Sequence, residues 1–215
     1  TRLDRGAMRR LSMWEARIGG LVWLLGACGR VGYDPVGGVA AWTWVGGSDM
    51  GEALGQYGTR GVPGSTNVPG ARDNGASWID GDGGLWLFGG YGVDAVGAKE
   101  RLNDLWSYQS ATGAWTWEAG SDRVGAPGFY GTRGGPDVAN EPPARNDAMA
   151  WVDSSGRLWL FGGVGTDGVT TYLLNDLWMY DPASARWTWV HRSAGPDPPP
   201  AYATHGVAAP QVTPG

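Results

Sequence analysis

The chain has 215 residues, including 39 glycines, 14 tryptophans and one cysteine, so a framework of internal disulfides is excluded. Its formal net charge is −5. Residues 1–27 contain five arginines and two acidic residues. The rest of the chain is therefore more acidic, with 11 basic and 19 acidic residues. A domain with this charge is a poor binder of nucleic acid, so we expect no nucleic-acid partner.

Residues 1–27 differ in composition from the rest of the chain. Arg9, Arg10 and Arg17 form a basic stretch before the apolar run Ile18–Ala27, which suits a signal peptide and is too short to span a bilayer. The run ends in Leu25-Gly26-Ala27-Cys28, which resembles the bacterial lipobox, where the cysteine becomes the lipidated first residue of the mature protein. The resemblance implies a lipoprotein signal peptide over 1–27, a short tether over 28–32 and lipid attachment at Cys28. The alternative is an ordinary buried cysteine in a short apolar segment.

The lipobox resemblance also implies a location. A lipid-anchored protein of this type lies at the bacterial cell envelope and contacts the membrane through its lipid anchor only. The residue after the cysteine is Gly29 and not aspartate, which by family analogy favours the outer membrane or the cell surface over inner-membrane retention.

The chain repeats itself after this leader. The stretch LWLFGG at 85–90 recurs 73 residues later at 158–163, and LNDLW at 102–106 recurs 72 residues later at 174–178. Twelve of the 14 tryptophans occupy repeated positions. Repetition at a nearly fixed spacing indicates stacked copies of one structural unit, in which tryptophan is mainly a packing residue.

Each unit is predicted to contain four short strands, because its apolar runs are short, aromatic and followed by glycine pairs. A buried helix is not excluded by the apolar pattern alone. The predicted strands are Ala76–Ile79, Leu85–Phe88, Leu105–Tyr108 and Trp115–Trp117 in the first unit, and Ala148–Val152, Leu158–Phe161, Leu177–Tyr180 and Trp187–Trp189 in the second.

The connections between these strands have unequal lengths. Tight turns rich in glycine and aspartate join strands one and two and strands three and four. Strands two and three are joined by about 10 residues, and strand four is joined to the next unit by about 26. In an antiparallel meander the two long connections lie on the same end, and long loops on a rigid scaffold usually carry binding.

Both units resemble a known repeat. A short strand is followed by a glycine pair, then by a tyrosine and a tryptophan with six residues between them; the matching residues are Gly89–Gly90, Tyr108 and Trp115, and Gly162–Gly163, Tyr180 and Trp187. This pattern resembles the kelch repeat. The longer form with LNDLW and WTW is similar to bacterial tandem kelch proteins of the galactose-oxidase-like propeller class. The resemblance covers about 33–215 and implies an all-β, kelch-type β-propeller.

The predicted propeller is incomplete. Its two full blades lie at about 71–118 and 144–190, whereas a ring needs about four to eight blades. Further blades in a longer chain are favoured over the assembly of several chains. Residues 33–48 resemble 180–193 and are predicted to supply a closing outer strand, the alternative being a degenerate first repeat. Residues 202–215 are predicted to begin another unit.

The candidate ligand-binding residues belong to the repeat. The motif Tyr-Gly-Thr-Arg-Gly occurs at 57–61 and 130–134, where tyrosine could stack on a ligand and arginine could donate hydrogen bonds to a glycan or peptide. The kelch resemblance further implies that an arginine before the innermost strand faces the channel mouth and binds acidic peptides. The candidates are Tyr57, Arg60, Arg72, Tyr130, Arg133 and Arg145. The alternative is that repeated residues build the unit, which leaves the variable stretches Val93–Arg101 and Val164–Tyr172 as specificity candidates.

No metal or other cofactor is predicted, although calcium has possible ligands. Oxygen-bearing side chains near the connection between strands two and three could bind it, namely Asp94, Asn103, Asp104, Asp167, Asn175 and Asp176. Their spacing matches no dense calcium loop. The alternative is that the asparagines form side-chain to backbone hydrogen bonds at a turn.

The sequence favours a binding protein over an enzyme. Galactose-oxidase-like enzymes use a copper site of tyrosine and histidine with a cysteine linked to tyrosine, whereas this chain has only His191 and His205 and no cysteine after Cys28. The predicted function is a non-catalytic protein- or glycan-binding propeller anchored to the cell envelope, with its ligand on the long-loop face. The alternative is an envelope-anchored galactose-oxidase-like or glycan-processing enzyme with its active site in further blades.

Overall fold

The computed structural model describes residues 43–166, residues 169–191 and Thr204. These residues form 11 strands in two antiparallel sheets, and the described part of the chain contains no helix. The strands are β1 Arg72–Asp73, β2 Ala76–Ile79, β3 Leu85–Val93, β4 Lys99–Gln109, β5 Ala114–Ala119, β6 Pro136–Asp137, β7 Arg145–Asn146, β8 Met149–Val152, β9 Leu158–Thr166, β10 Thr171–Asp181 and β11 Arg186–His191.

Each blade is a single antiparallel meander with four strand positions, and its innermost strand is interrupted. In the first blade (β1–β5), both β1 and β2 pair with β3, and β4 and β5 follow in order. Asn74 interrupts the innermost strand because its φ of 50° lies in the left-handed region. The second blade (β7–β11) repeats this order on β9, β10 and β11. The predicted all-β, propeller-type fold is confirmed.

The strands are longer than the sequence predicts at one end of each blade. Gly89 and Gly90 do not end β3, which continues to Val93 and pairs with a β4 that begins at Lys99. The ladder shifts register between Phe88 and Gly90, as a bulge does. The prediction of an open loop of about 10 residues between these strands is therefore wrong. It is a hairpin whose turn is residues 94–98.

The two blades pack face to face through aromatic side chains. We call the face of a blade that points toward the next blade its forward face, and the opposite face its rear face. Phe88 on the forward face of the first blade contacts Trp187 on the rear face of the second, with ring centroids 5.4 Å apart. The indole of Trp78 donates to the backbone carbonyl of Trp159 across the same interface at 3.0 Å. The repeated tryptophans thus form the core between blades.

The long connection before each blade lies along the outermost strand of that blade. The backbone N–H of Gly61 donates to the Trp117 carbonyl at 2.7 Å, and Gly134 donates to Trp189 at the same distance. The second connection also contributes β6, which pairs with β11. Each connection therefore belongs structurally to the blade that follows it, which explains why its motif repeats with the blade.

The turn between β8 and β9 is organised by one carboxylate. Asp153 accepts hydrogen bonds from the Trp159 indole at 2.9 Å and from Arg157 at 2.7 Å. The hydrogen bond from Trp159, helped by neighbouring N–H donors, lowers the pKa of Asp153 to about 2. Because the carboxylate form is favoured in the folded state, its contribution to stability is present above the unfolded pKa of 3.8 and is lost as the pH falls toward 2.

The Asp153→Asn variant should therefore lose part of the acid sensitivity of the wild-type protein. We expect the difference in unfolding free energy between the two proteins to shrink as the pH falls from 5 to about 2, because only the wild-type carboxylate is protonated in that window. Denaturant unfolding at several pH values measures this difference, with Asp82→Asn on the corresponding turn of the first blade as the control. A difference that stays constant with pH would contradict the assignment.

Several predicted segments lie outside the described residues. These are the predicted signal peptide 1–27, the tether 28–32, residues 33–42 of the predicted closing strand and nearly all of 202–215. Residues 43–48 are described and belong to none of the 11 strands. Within the described ranges, no helix has the length and apolar character needed to cross a membrane.

Candidate functional site

A buried carboxylate lies at the centre of the first blade. Asp104 forms a bidentate ion pair with Arg72, with Nη1–Oδ1 and Nη2–Oδ2 distances of 2.6 and 2.7 Å. The Tyr57 hydroxyl and the Trp106 indole each donate to Oδ2 at 2.7 Å. The side chains of Arg72 and Asp104 are 1% and 0% exposed. Residues that are about 50 positions apart in the chain thus meet in one polar cluster, which we call the carboxylate cluster.

The second blade repeats the carboxylate cluster. Asp176 pairs with Arg145 at 2.6 and 2.8 Å, and it accepts hydrogen bonds from Tyr130 and Trp178 at 2.7 Å each. Burial opposes ionisation of Asp176, but the adjacent Arg145 guanidinium and the hydrogen bonds from Trp178 and Tyr130 together hold the pKa of this carboxyl below its usual value. The cluster is therefore a charged network on which each blade is built.

The position of the two arginines corrects the expectation of a channel-mouth site. Beyond its carboxylate partner, Arg72 donates to the backbone carbonyls of Gly70 and Gly89 at 3.0 Å each. Arg145 makes the corresponding bonds to Pro143 and Gly162 at 3.1 and 3.0 Å. Both guanidinium groups are buried and hydrogen-bonded within the sheet, so they are not accessible to an acidic ligand.

The two tyrosines of the repeated motif are likewise packing residues. The Tyr57 ring lies 4.9 Å from the Trp106 ring, and the Tyr130 ring lies 4.9 Å from that of Trp178. Burial raises the pKa of the Tyr57 hydroxyl, which stays a hydrogen-bond donor to its carboxylate. The Tyr57 ring is buried, and the half-buried Tyr130 ring packs on Trp178 and Trp189, so the geometry supports the alternative that repeated residues build the unit.

The two remaining arginines of the motif are exposed. The Arg60 guanidinium lies 4.8 Å above the Trp117 ring and donates to the Gly120 carbonyl at 2.5 Å. It also reaches Glu141 at 3.4 Å, in the segment that leads to the second blade. Arg133, its repeat counterpart, is exposed on the corresponding connection. Ligand binding by Arg60 and Arg133 stays a prediction.

The hairpin turn of residues 94–98 and the long connection after β5 meet at one end of the first blade, as the meander predicts. Asp94 receives the backbone N–H groups of Val96 and Ala98 at 2.9 Å each, and that of Val124 at 3.4 Å. Burial opposes its ionisation, but these N–H donors lower the pKa of Asp94 below its usual value. The Gly125 N–H donates to the Arg101 carbonyl at 2.8 Å, which joins the connection to the hairpin.

The calcium candidates of the first blade are engaged in protein contacts. Asn103 donates to the Pro142 carbonyl at 3.1 Å and accepts from the Ser121 N–H at 2.9 Å, which are the side-chain to backbone bonds expected as the alternative. Within the part of the chain that is described, no group of three or more histidine, cysteine, aspartate or glutamate side chains could hold a metal ion. Asp167 and His205 lie outside that part.

The hairpin end of the first blade presents a small exposed surface, which we call the hairpin patch. It consists of Leu54, Val96, Glu52 and Lys99. Leu54 and Val96 are exposed aliphatic side chains, and the ion pair between Glu52 and Lys99 spans 2.8 Å. The sequence pointed to Val93–Arg101 through its variability, but nothing in the sequence signalled that residues 52–54 join it.

Two antiparallel blades that share an aromatic interface and carry long connections at one end define a β-propeller protein. A sequence profile described as the KLHDC2/KLHL20/DRC7 Kelch-repeats domain matches residues 56–212, and the chain belongs to this kelch-repeat family. Kelch-repeat domains generally mediate protein interactions.

Among solved structures, the chain is similar to one titled "Structure of YjhT", with 16% sequence identity and a TM-score of 0.46. The match covers 75% of this chain and 43% of the other, so the chain spans less than half of that protein's length. No curated protein matches the chain.

Proposed function

We propose that the chain is a non-catalytic, protein-binding kelch module that takes its ligand at the hairpin end and is anchored to a bacterial cell envelope through Cys28. Membership of the kelch-repeat family supports protein binding. The lipobox-like sequence before Cys28 supports the anchor and an outer-membrane or cell-surface location. The observation that carries the position of the site is the hairpin patch.

The hairpin patch suits a peptide segment because it combines apolar contact with charge. Leu54 and Val96 can bury an apolar side chain of a ligand, while Glu52 and Lys99 can exchange their exposed ion pair for pairs with ligand charges. The three N–H groups bound to Asp94 hold the hairpin in one conformation, so little conformational entropy is lost on binding.

Selection of peptides on the immobilised chain tests this proposal. A phage-displayed random peptide library supplies the protein ligands, and a printed glycan array is probed with the same chain. We expect Leu54→Asp and Val96→Asp to weaken the selected peptides at least about tenfold, because each places a charge in an apolar contact. Val62→Asp is the matched control, since Val62 is also exposed but lies on the connection beside β5.

Three results would count against the proposal. Selected peptides that bind both hairpin variants as well as the wild-type chain would place the site elsewhere. Equal loss with Val62→Asp would show a general effect of the added charge. If the chain binds to the glycan array and the phage library yields no binding peptide, a glycan ligand would be favoured over a protein.

The Cys28→Ala variant should abolish lipid attachment. The thiol is the group that a lipoprotein signal presents for acylation, and the chain has no other cysteine to replace it. Incorporation of radiolabelled palmitate into the chain in a bacterial host measures the modification, and Gly29→Ala, which keeps the thiol, is the control. Continued labelling of Cys28→Ala would refute the lipobox assignment.

A further inference from the structure

The innermost strand of the first blade is interrupted at an asparagine that is followed by a glycine. Asn74 and Gly75 lie between β1 and β2 and belong to neither strand. Asn74 is exposed and has a φ of 50°, and Gly75 is half-buried. The chain has six asparagines, and Asn74 is the one that precedes a glycine. An accessible side-chain amide thus stands next to the residue type with the most mobile backbone.

The amide group of Asn74 is not held in place by hydrogen bonds. Within the described ranges, the Asn74 side chain has no hydrogen-bond partner. Four other asparagines each donate a hydrogen bond from their amide nitrogen to another group of the protein; they are Asn67, Asn103, Asn140 and Asn146. Asn74 therefore differs from these four both in the residue that follows it and in the freedom of its amide to turn.

We propose that Asn74 is a site of spontaneous deamidation. The backbone nitrogen of Gly75 attacks Cγ of Asn74, and the bond between this nitrogen and Cγ forms while the bond from Cγ to Nδ2 breaks. The proton of the attacking nitrogen passes through water to the departing group, which leaves as ammonia. Glycine favours the attack because it has no side chain in the way and its backbone turns freely.

Water then opens the cyclic imide that links the two residues. Cleavage between the Gly75 nitrogen and Cγ leaves an ordinary aspartate at position 74. Cleavage of the original peptide bond leaves an isoaspartate, in which the main chain runs through Cβ and Cγ. Either route consumes one water molecule, and the net change is an amide converted to a carboxylate that carries a negative charge.

The second blade shows that an aspartate fits this position. Asp147 is the repeat counterpart of Asn74 and has a φ of 57°. Both positions therefore use the left-handed conformation, which asparagine and aspartate adopt more readily than most residues. The aspartate product should leave the first blade folded and place a second carboxylate next to Asp73.

The isoaspartate product should change the contact between the blades. The backbone N–H of Asp147 donates to the Asn74 carbonyl at 3.0 Å, which joins the innermost strands of the two blades. In isoaspartate this carbonyl leaves the main chain and becomes part of a carboxylate, while the main chain gains a methylene group. We expect the Asp147 amide proton to exchange with solvent faster in this product than in the unmodified chain.

Mass spectrometry of the 215-residue chain tests the proposal. The folded protein is kept at neutral pH in water enriched in heavy oxygen, and its peptides are fragmented after increasing times. We expect heavy oxygen to enter at residue 74, as a mixture of aspartate and isoaspartate, while the four asparagines with bonded amides stay unchanged over the same period. The oxygen label requires no substitution, so it decides the proposal on the wild-type chain.

Gly75→Ala is the matched variant, because the repeat counterpart of Gly75 is Ala148. The added Cβ hinders the attack, so conversion at residue 74 should become several-fold slower. This Cβ would lie 3.0 Å from a Leu87 methyl carbon and 3.2 Å from the Gly89 carbonyl oxygen. Near-ultraviolet circular dichroism therefore checks that the variant is folded, with Asn74→Asp measured beside it as the expected product.

Two outcomes would overturn the proposal. An Asn74 that stays intact in the folded chain while the urea-unfolded chain converts would show that the fold keeps the amide away from the Gly75 nitrogen. Conversion of folded Gly75→Ala at the wild-type rate would show that this nitrogen is not the attacking group.

Discussion

Replacing Asp104 by alanine is expected to lower the free energy of unfolding by about 3–5 kcal/mol, which is the usual cost of removing one partner of a buried ion pair. The loss is large because the Arg72 guanidinium stays inside the blade without its counter-charge, and because Tyr57 and Trp106 lose their acceptor. A buried donor that is left without an acceptor destabilises the fold by the desolvation penalty of that group. Equilibrium unfolding in urea measures the loss.

The exposed ion pair between Glu52 and Lys99 provides the control for Asp104→Ala. Its side chains lie mostly in solvent, so Glu52→Ala should change the unfolding free energy by less than about 1 kcal/mol. A double variant, Arg72→Met with Asp104→Leu, should recover part of the loss because no charge is left unpaired. If Asp104→Ala were as mild as Glu52→Ala, the carboxylate cluster would not be the centre of the blade.

Replacing Gly89 by alanine is expected to lower the unfolding free energy by about 3 kcal/mol or more, as the sum of backbone strain and overpacking. Gly89 has a φ of +60°, and a Cβ there would lie 2.6 Å from the Arg145 carbonyl oxygen and 2.8 Å from that of Leu102. Both contacts are with backbone, so neither can yield by a side-chain rotation. The first contact is with the second blade, so the variant should also loosen the packing between blades.

Two other glycines separate the contributions to this loss. Gly83 has a φ of +79° and open space where a Cβ would lie, so Gly83→Ala should cost only the backbone strain, about 1–2 kcal/mol. Gly162, the repeat counterpart of Gly89, would place its Cβ 3.0 Å from the Leu174 carbonyl oxygen of its own blade, so its loss should be intermediate. Thermal and urea unfolding of the three variants tests this order. Equal losses for Gly83 and Gly89 would show that the approach of the blades is not tight.

The patterns that could be predicted from the sequence are local or periodic. The alternation of tryptophans in WTW places Trp115 and Trp117 on one face of a strand, and the structure has both on the rear face of the first blade. The 72- and 73-residue shifts indicate two equal units, and two blades of equal strand order are present. These predictions depend only on side-chain alternation and repetition, which are visible in the order of residues along the chain.

The glycine pair shows where local sequence preference fails. A pair of glycines ordinarily weakens a strand, so the sequence predicts that β3 ends at Gly89 and Gly90. The structure uses them inside β3, because the missing side chain of Gly89 allows the Arg145 backbone of the second blade to approach, and that of Gly90 allows the Asp73 backbone of the innermost strand to approach. Contact with a distant segment outweighs local preference there, and no window of sequence around residue 89 contains that segment.

The arginines show the same limit for the candidate site. Arg72 and Arg145 are repeated, charged and adjacent to a strand, which fits both a ligand site and a structural ion pair. Only the position of the carboxylates separates these interpretations, and those lie 32 and 31 residues away along the chain. The short bidentate distances and the buried side chains assign both arginines to the blade framework.

By itself, the sequence determined that this protein is built from repeated all-β units whose tryptophans pack and whose long connections gather at one end. The tertiary structure decided which repeated residues are buried in the carboxylate clusters and which side chains are exposed at the hairpin patch. The physical reason is that a repeat and its strand pattern can be read from residues close together in the sequence. Burial and charge pairing depend instead on which distant segments come into contact.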